Sequence, residues 1–301
     1  AVLIHHGSAT GLLAAASWTA ETDQAEANLG ISTGTAGDVN GDGFDDVIAG
    51  APYYDGGLAD EGVAFVYHQV SNRHSIAIST AGDVNGDGYD DVIVGAPYYD
   101  DGQSDEGGAF VFYGSVTGLA TSAGWIVTGN QSYAQFGWSV GAAGDVNGDG
   151  YADVIIGAPG YGNGQANEGA AFIYHGSASG LSAVAGWIAE GDQAGASFGY
   201  SVGTAGDVNG DGYADVIAGA PDYDNGEAGE GAAFIYHGSA TGLSTTAGWI
   251  AEGDQANASF GYSVSAAGDV NGDGYADVIA GAPHYDNGQT DEGRAFVYLG
   301  S

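Results

Sequence analysis

The chain of 301 residues contains no lysine, no cysteine and no methionine, and its two basic residues are Arg73 and Arg294. Against them stand 39 acidic residues, so the formal net charge is −37. Nucleic acid and anionic membrane surfaces repel a chain of this charge, which argues against both as partners. The absence of cysteine excludes a disulfide framework.

Long apolar runs are also missing, so the sequence predicts no membrane-spanning helix. Proline occurs 5 times and glycine 58 times, without a Gly-X-Y period. This pattern indicates many tight turns between short strands. Because 44% of the residues are hydrophobic, we expect the acids on a folded scaffold rather than in a disordered tail. A start at Ala1 without a basic leader indicates a processed product or a fragment.

A motif, DVNGDG, occurs five times, at intervals of 45, 62, 62 and 62 residues. In the unit that begins at Phe198, apolar segments predict four strands, A to D, at residues 198–206, 216–221, 232–237 and 248–251. No segment has the 3.6-residue period of an amphipathic helix. Four short strands repeated at a fixed period predict an all-β fold, a β-propeller of four-stranded antiparallel blades.

Phe-Gly pairs and Gly-Ala-Pro triplets recur around the motif, and these residues resemble the FG-GAP repeats of integrin α-subunit propellers and their bacterial relatives. The pairs and triplets are 136–137 with 157–159, 198–199 with 219–221, and 260–261 with 281–283. The first two repeats keep the triplets at 50–52 and 95–97, but Leu29 and His74 replace the phenylalanine.

The resemblance implies one propeller over residues 1–301. We expect N-terminal closing strands at 1–28 and repeats at approximately 29–73, 74–128, 136–190, 198–252 and 260–301. Integrin propellers have seven blades, whereas the repeats here predict five, or six with incomplete blades.

Each motif extends to D-x-N-x-D-G-x-x-D, a pattern rich in oxygen ligands. Ca²⁺ takes about six to eight oxygens at roughly 2.3–2.6 Å. We expect these from the side chains at positions 1, 3, 5 and 9 and the carbonyl at position 7, giving about five ions, one per loop. The predicted ligands are Asp38, Asn40, Asp42, Phe44, Asp46, Asp83, Asn85, Asp87, Tyr89, Asp91, Asp145, Asn147, Asp149, Tyr151, Asp153, Asp207, Asn209, Asp211, Tyr213, Asp215, Asp269, Asn271, Asp273, Tyr275 and Asp277.

Two other interpretations of these loops fit less well. An EF-hand needs an acidic ligand at position 12 and flanking helices. Position 12 is apolar in every loop, and a predicted strand follows it. A plain hairpin turn needs one Asx-Gly pair and does not need three aspartates at fixed offsets in five copies. The sequence therefore predicts closed, structural calcium sites in β-hairpin loops.

The B–C and D–A turns share the opposite face of a propeller, and they are also acidic. The resemblance implies that ligands meet this face. One tyrosine recurs there in each repeat, at Tyr54, Tyr99, Tyr161, Tyr223 and Tyr285. These rings either stack on sugars or pack within the fold, and the sequence leaves both open.

The remaining aromatic and histidine positions are regular. Tryptophans in strand D (18, 125, 187 and 249) and Trp138 in strand A predict packing between blades. Histidines 6, 68, 175 and 237 all end strand C. Nothing here resembles a catalytic cluster, and we expect no enzyme activity.

The repeat pattern breaks in two places. Strand D is missing after His68, and the last repeat stops after strand C at Ser301. Residues 1–6 and 17–20 instead supply an additional C strand and a D strand at the N-terminus. Three explanations are open: these strands close the ring, the chain is cut from a longer array, or open blade edges join copies head to tail.

Together these features predict a secreted or cell-surface module, stabilised by calcium, with an adhesion or structural binding role. Its partner would be a protein or glycan ligand on the B–C/D–A face, and its open edges allow self-association. The alternative is a carbohydrate-binding lectin. An accessory domain of a polysaccharide-degrading enzyme has less support.

Overall fold

The computed structural model describes residues 77–301 in full and seven strands before them. These strands are Val2–Ile4 (β1), Gly7–Ser8 (β2), Gly11–Leu12 (β3), Trp18–Ala20 (β4), Ser32–Gly37 (β5), Asp46–Ala51 (β6) and Val63–Tyr67 (β7). The predictions for Leu29, Tyr54, His68 and His74, and for residues 38–45 of the first loop, lie outside the described residues. The chain divides into two compact units, Ala1–His74 and Ser75–Ser301.

The first unit contains the hairpin that the sequence predicts at the N-terminus. Strand β1 pairs antiparallel with β4, and Ile4 lies opposite Trp18. The same register places Ile235 opposite Trp249 in a later repeat. Strands β5, β6 and β7 form a three-stranded antiparallel sheet, and β2 pairs with β3.

The second unit contains four antiparallel sheets in which strands pair in chain order. Three sheets have four strands and the last has three. Their strands are Ala77–Gly82 (β8), Asp91–Ala96 (β9), Gly108–Phe112 (β10) and Trp125–Thr128 (β11); Ser139–Gly144 (β12), Asp153–Ala158 (β13), Ala170–Tyr174 (β14) and Trp187–Glu190 (β15); Ser201–Gly206 (β16), Asp215–Ala220 (β17), Ala232–Tyr236 (β18) and Trp249–Glu252 (β19); and Ser263–Gly268 (β20), Asp277–Ala282 (β21) and Arg294–Tyr298 (β22).

Strand A is shorter than its sequence pattern suggests. Phe198 and Gly199 precede β16, because Gly199 turns the chain with a φ of 80° before the strand begins. Phe198 forms an isolated bridge with Gly169 and is fully buried. Each A strand of this unit lies beside the A strand of the next sheet. The arrangement is that of propeller blades.

Close glycine contacts between neighbouring sheets explain the recurring motif. The N–H of Gly199 donates to the carbonyl of Gly219 in its own sheet, at 3.0 Å. A Cβ on Gly157 of the preceding sheet would lie 1.9 Å from the carbonyl oxygen of Gly199. Only glycine leaves room for this approach. The Phe-Gly and Gly-Ala-Pro residues are therefore packing positions.

Aromatic packing fills the remaining space between sheets. The ring of Trp187 meets Tyr236 of the following sheet edge to face, with centroids 4.8 Å apart. Trp125 and Trp249 make the equivalent contacts with Tyr174 and Tyr298. The structure thus gives these strand-D tryptophans the blade-packing role that their regularity predicts.

Candidate calcium loops and the opposite loop face

The four described A–B loops share one conformation. In the loop that begins at Asp207, Oδ1 of this residue accepts from the N–H groups of Gly210 (2.7 Å) and Asp211 (3.1 Å), and Oδ2 accepts from Gly212 (2.9 Å). The loops beginning at 83, 145 and 269 repeat these three bonds. Position 1 therefore organises the backbone around its carboxylate.

Positions 3 and 5 turn inward in the same loop. The Asn209 amide nitrogen donates to Asp211 Oδ2 at 3.0 Å, and the Asp211 N–H donates to Asn209 Oδ1 at 2.9 Å. Asp211 Oδ1 accepts from the N–H of Tyr213 at 3.0 Å. Gly210 and Gly212 have φ values of 73° and 91°, which permit the tight turns. Carboxylate and amide oxygens thus gather on the inside of the loop.

Position 9 connects each loop to its sheet. Asp215 is fully buried, its Oδ2 accepts from Val208 N–H at 2.9 Å, and its Oδ1 accepts from Gly238 N–H at 2.8 Å. Burial raises the pKa of Asp215, while these two hydrogen bonds oppose the rise. The same pair of bonds holds positions 91, 153 and 277. Sequence reasoning missed this anchoring role.

The loop carboxylates differ in their surroundings. Hydrogen bonds, led by the Gly274 N–H, lower the pKa of Asp269, the position-1 residue of the last loop. Burial raises the pKa of Asp91 at position 9. In the described residues, the position-1, -5 and -9 carboxylates of a loop are not all within 4.8 Å of one another. The hydrogen bonds of positions 1, 3 and 5 stay within the loop, whereas position 9 also bonds to Gly238 at the end of strand C.

The oxygen-only donor set fits a hard cation such as Ca²⁺. Four described loops offer the same three carboxylates and one amide oxygen on the same backbone. An oxygen that accepts a single hydrogen bond, such as Asp207 Oδ2, keeps a lone pair for a metal ion, whereas Asp207 Oδ1 accepts two. In the first loop, Asp46 begins β6, and Asp38, Asn40, Asp42 and Phe44 lie outside the described residues.

On the opposite face, a buried glutamate closes the B–C turns of three repeats, whereas the equivalent Glu292 of the last repeat is exposed. Glu106, Glu168 and Glu230 are each 1% exposed. Glu230 Oε1 accepts from the N–H of Asn225 at 2.6 Å, and Glu106 Oε1 accepts from that of Asp101 at 2.6 Å. In the sequence, each of these glutamates stands at the same place just before strand C, and this regularity could have indicated a structural role. Their carboxylates hold the backbone of the turns by hydrogen bonds.

Glutamine side chains join the B–C turns to the D–A segments. Gln193 donates to the carbonyl of Asp224 at 2.8 Å and accepts from its N–H at 2.7 Å. Gln131 and Gly162 are joined in the same way, as are Gln255 and Asp286. These paired bonds hold the loops of this face in fixed positions.

The recurring tyrosines of the B–C turns pack on strand C of their own sheets. Tyr161 meets Phe172 edge to face at 5.5 Å, and Tyr223 meets Phe234 at 5.5 Å. Tyr99 and Tyr285 make the equivalent contacts. Of the two interpretations left open by the sequence, these contacts favour packing.

Acidic side chains converge beside these tyrosines. Glu168, Glu190 and Asp192 place carboxylate oxygens within 4.8 Å of one another, and Glu230, Glu252 and Asp254 do the same in the next repeat. Asn163 and Asn225 donate to the partly buried glutamates of these groups. The face is therefore strongly negative as well as rigid.

The strand-C histidines contact the position-9 carboxylates rather than one another. His175 Nδ1 lies 3.4 Å from Asp153 Oδ2, and His237 Nδ1 lies 3.4 Å from Asp215 Oδ2. The contact with Asp153 raises the pKa of His175, although burial opposes the rise. Their repetition in equivalent positions indicates a structural role.

The sheets, their order and their packing define the chain as a β-propeller repeat protein. Residues 30–67, 76–112, 136–174, 198–236 and 260–298 match the FG-GAP repeat family. These matches cover more than half of the chain, and the chain belongs to this family. The match confirms the predicted resemblance for all five repeats.

Integrin α-subunits are among the proteins that the chain resembles. It is 41% identical to integrin alpha-V of Gallus gallus over 164 residues, and 36% identical to integrin alpha-7 of Rattus norvegicus over 158 residues. Each match covers 52% of this chain but only 15% and 13% of those proteins. No helix in the described part of the chain has the length and hydrophobicity to cross a membrane.

Proposed function

We propose that the chain is an extracellular adhesion module that binds calcium in its A–B loops and a protein ligand on its B–C/D–A face. The observation that supports it most is the set of five FG-GAP repeats, together with the similarity of 52% of the chain to integrin α-subunits. The integrin likeness also supports a place outside the cell. Calcium at about 10⁻⁴–10⁻³ M suits extracellular modules with loops of modest affinity.

Calcium would act on stability. In each loop the ion would be held by the side chains at positions 1, 3, 5 and 9 and the carbonyl at position 7. Without a cation, three carboxylates in one short loop repel one another. Five divalent ions would add ten positive charges to a formal net charge of −37. We therefore infer that bound calcium favours the folded state.

The opposite face has the properties of a preorganised binding surface. Its turns are closed by buried glutamates and joined by glutamine side chains such as Gln193. A surface with fixed loops loses little conformational entropy on binding. The acid groups around Glu190 and Glu252 would favour a partner with basic residues.

Self-association is a further part of the proposal. Strand β22 is the last of a three-stranded sheet, and no other strand of the second unit pairs with its outer edge. Val297 in β22 and Leu299 just after it are 50% and 58% exposed. An open edge with exposed apolar side chains can accept a strand from another copy. Light scattering after size exclusion, in calcium and in EDTA, tests this, and a clean monomer at high concentration rejects it.

The calcium proposal is tested by isothermal titration and thermal unfolding of the apoprotein. We expect about five Ca²⁺ per chain and a large fall in melting temperature in EDTA, with excess Mg²⁺ as the control ion. An unchanged melting temperature in EDTA contradicts a stabilising role.

Adhesion is tested separately. Beads coated with the protein are applied to matrix-coated plates in calcium, with heat-unfolded protein as the control. Retention only of the folded, calcium-loaded protein supports the proposal. Equal retention of both rejects it.

A further inference from the structure

A cleft of about 310 Å³ opens on the B–C/D–A face between two neighbouring D–A segments. This volume is at the lower end of the range of small-molecule sites, about 300–1,000 Å³. Three aromatic rings line it, from Tyr133, Trp138 and Tyr200. Trp138 and Tyr200 lie with their centroids 5.3 Å apart and their planes tilted by 48°. The cleft thus presents a broad aromatic wall.

One of these rings is held on a strained backbone. Tyr133 has a φ of 64° and is 63% exposed. The equivalent residues of the next two repeats are Gly195 and Asn257, which adopt this region at lower cost. The local hydrogen bond is the same: Tyr133 N–H donates to Ser104 carbonyl at 2.8 Å, and Gly195 N–H donates to Ala166 carbonyl at 2.9 Å. Fold requirements alone do not explain a bulky ring here, whereas ligand contact does.

Two neighbouring positions also differ from the other repeats. Gln135 replaces the serines at 197 and 259, and Trp138 replaces the tyrosines at 200 and 262. All three larger side chains lie in one short segment before β12. At the cleft, each of these three residues is larger than its equivalents in the next two repeats.

The lining of the cleft differs from the B–C turns of the other described repeats. Gly160 stands where they have Tyr98, Asp222 and His284, and Asn167 stands where they have Asp105, Gly229 and Asp291. No carboxylate is among its lining residues, which include Gln135, Asn167 and Ser197. The Ser197 hydroxyl donates to Asp222 Oδ2 at 2.9 Å, beside the cleft. Gly160 is also sterically required, since its Cβ would lie 2.0 Å from the Tyr133 carbonyl oxygen. A neutral, polar and aromatic surface is thus set into an acidic face.

We propose that this cleft binds a neutral saccharide residue. This inference rests on the proposed role of the B–C/D–A face as the ligand face. Apolar C–H faces of a sugar ring stack on the rings of Tyr133 and Trp138, and its hydroxyls bond to the amides of Gln135 and Asn167. The lining residues themselves include no carboxylate, which favours a neutral ligand over a cationic one. The formal charge of −37 disfavours acidic sugars.

The test uses the calcium-loaded full chain on an array of neutral and acidic oligosaccharides. The strongest neutral sugar is then titrated by isothermal calorimetry, which does not depend on Trp138. The triple variant Tyr133→Gly, Gln135→Ser, Trp138→Tyr introduces the residues of the next repeat, so its backbone is compatible with the loop. We expect binding at least about tenfold weaker, as the loss of ring stacking implies. Asn257→Gly, at the position equivalent to Tyr133, is the matched control and keeps wild-type affinity.

Trp138→Tyr alone leaves residues 131–135 unchanged and gives an independent measurement if the triple variant folds poorly. Absence of any neutral-sugar binding by the wild type overturns the inference. Full binding by the triple variant, or a preference for basic peptides lost in that variant, also overturns it. Thermal unfolding in calcium and EDTA is recorded alongside. If calcium stabilises the chain but no sugar binds, the saccharide inference is rejected and the proposed function is unaffected.

Discussion

The indole N–H of Trp187 donates a hydrogen bond of 2.9 Å to the carbonyl oxygen of Ser244, in the C–D turn of the following repeat. Trp125 makes the same bond to Ser182 at 3.0 Å. These bonds tie the outer strand of one sheet to the turn of its neighbour. The outer strands therefore link adjacent repeats as well as completing their own sheets.

Replacing Trp187 with phenylalanine removes this bond and part of the packing on Tyr236. We expect a loss of about 2–4 kcal/mol in the free energy of unfolding, because a partly buried acceptor loses its partner and a cavity remains. Urea unfolding in calcium measures it. The neighbouring Ile188→Ala change, at a 49% exposed side chain, is the control and costs about 1 kcal/mol or less. Equal effects of the two changes contradict the linking role of Trp187.

Gly157→Ala tests the close approach between sheets. Its Cβ would lie 1.9 Å from the Gly199 carbonyl oxygen, so we expect a loss of about 3 kcal/mol or more from forced backbone movement. Gly203→Ala is the matched control, because no atom lies within 4 Å of its added Cβ. The control changes stability by no more than about 1 kcal/mol. Denaturant unfolding of both variants decides the matter, and a tolerated Gly157→Ala refutes the packing explanation of the motif.

Asp207→Asn tests the proposed calcium loops one at a time. The change removes a position-1 carboxylate, so calcium titration is expected to show about one ion fewer per chain. The melting temperature falls in calcium, while the difference from wild type largely disappears in EDTA. Glu227→Gln, an exposed residue of a B–C turn with the same change of charge, keeps the wild-type stoichiometry. If both variants lose calcium equally, the loss is caused by the change in net charge and not by removal of a loop ligand.

Two buried phenols predict a loss of stability in alkali. Burial raises the pKa of Tyr174 and of Tyr236 from 10.0 to about 12. A raised folded-state pKa means that the stabilisation is complete below pH 10 and is lost as the pH rises through about 12. Each group then contributes roughly 3 kcal/mol of pH dependence.

The double variant Tyr174→Phe, Tyr236→Phe has no such phenols. Its stability is expected to fall less steeply than that of the wild type between pH 10 and 12. Denaturant unfolding in that range measures the slopes, with Tyr133→Phe, at an exposed ring, as the control. Parallel curves for the double variant and the wild type would show that these two tyrosines do not govern alkaline unfolding.

Much of the architecture could be predicted because its signals are local. The period of 62 residues, the turn residues and the short apolar runs predict four strands per repeat, and β16 to β19 lie close to those positions. The main error of the sequence prediction was the start of strand A, because Phe198 lies before the strand and is buried in the core. The pattern could not show this, because a buried phenylalanine suits either place.

The site was predictable only in part. The D-x-N-x-D-G spacing indicates the inner oxygens of each loop, and the observed bonds around Asp207 agree with an inward arrangement. The spacing does not show that Asp215 is held by Gly238 from the end of strand C. That contact joins residues 23 positions apart, and it depends on how two strands pair.

The repeat, the strand order and the oxygen-rich loops follow from the sequence, because each depends on residues close together in the chain. Which aromatic rings pack on strand C and which line a cleft depends on how the chain folds. The regular tyrosines fold onto strand C, while the irregular Tyr133 and Trp138 line a cleft with Tyr200. A cleft arises where distant segments meet, and its lining is set by packing between repeats.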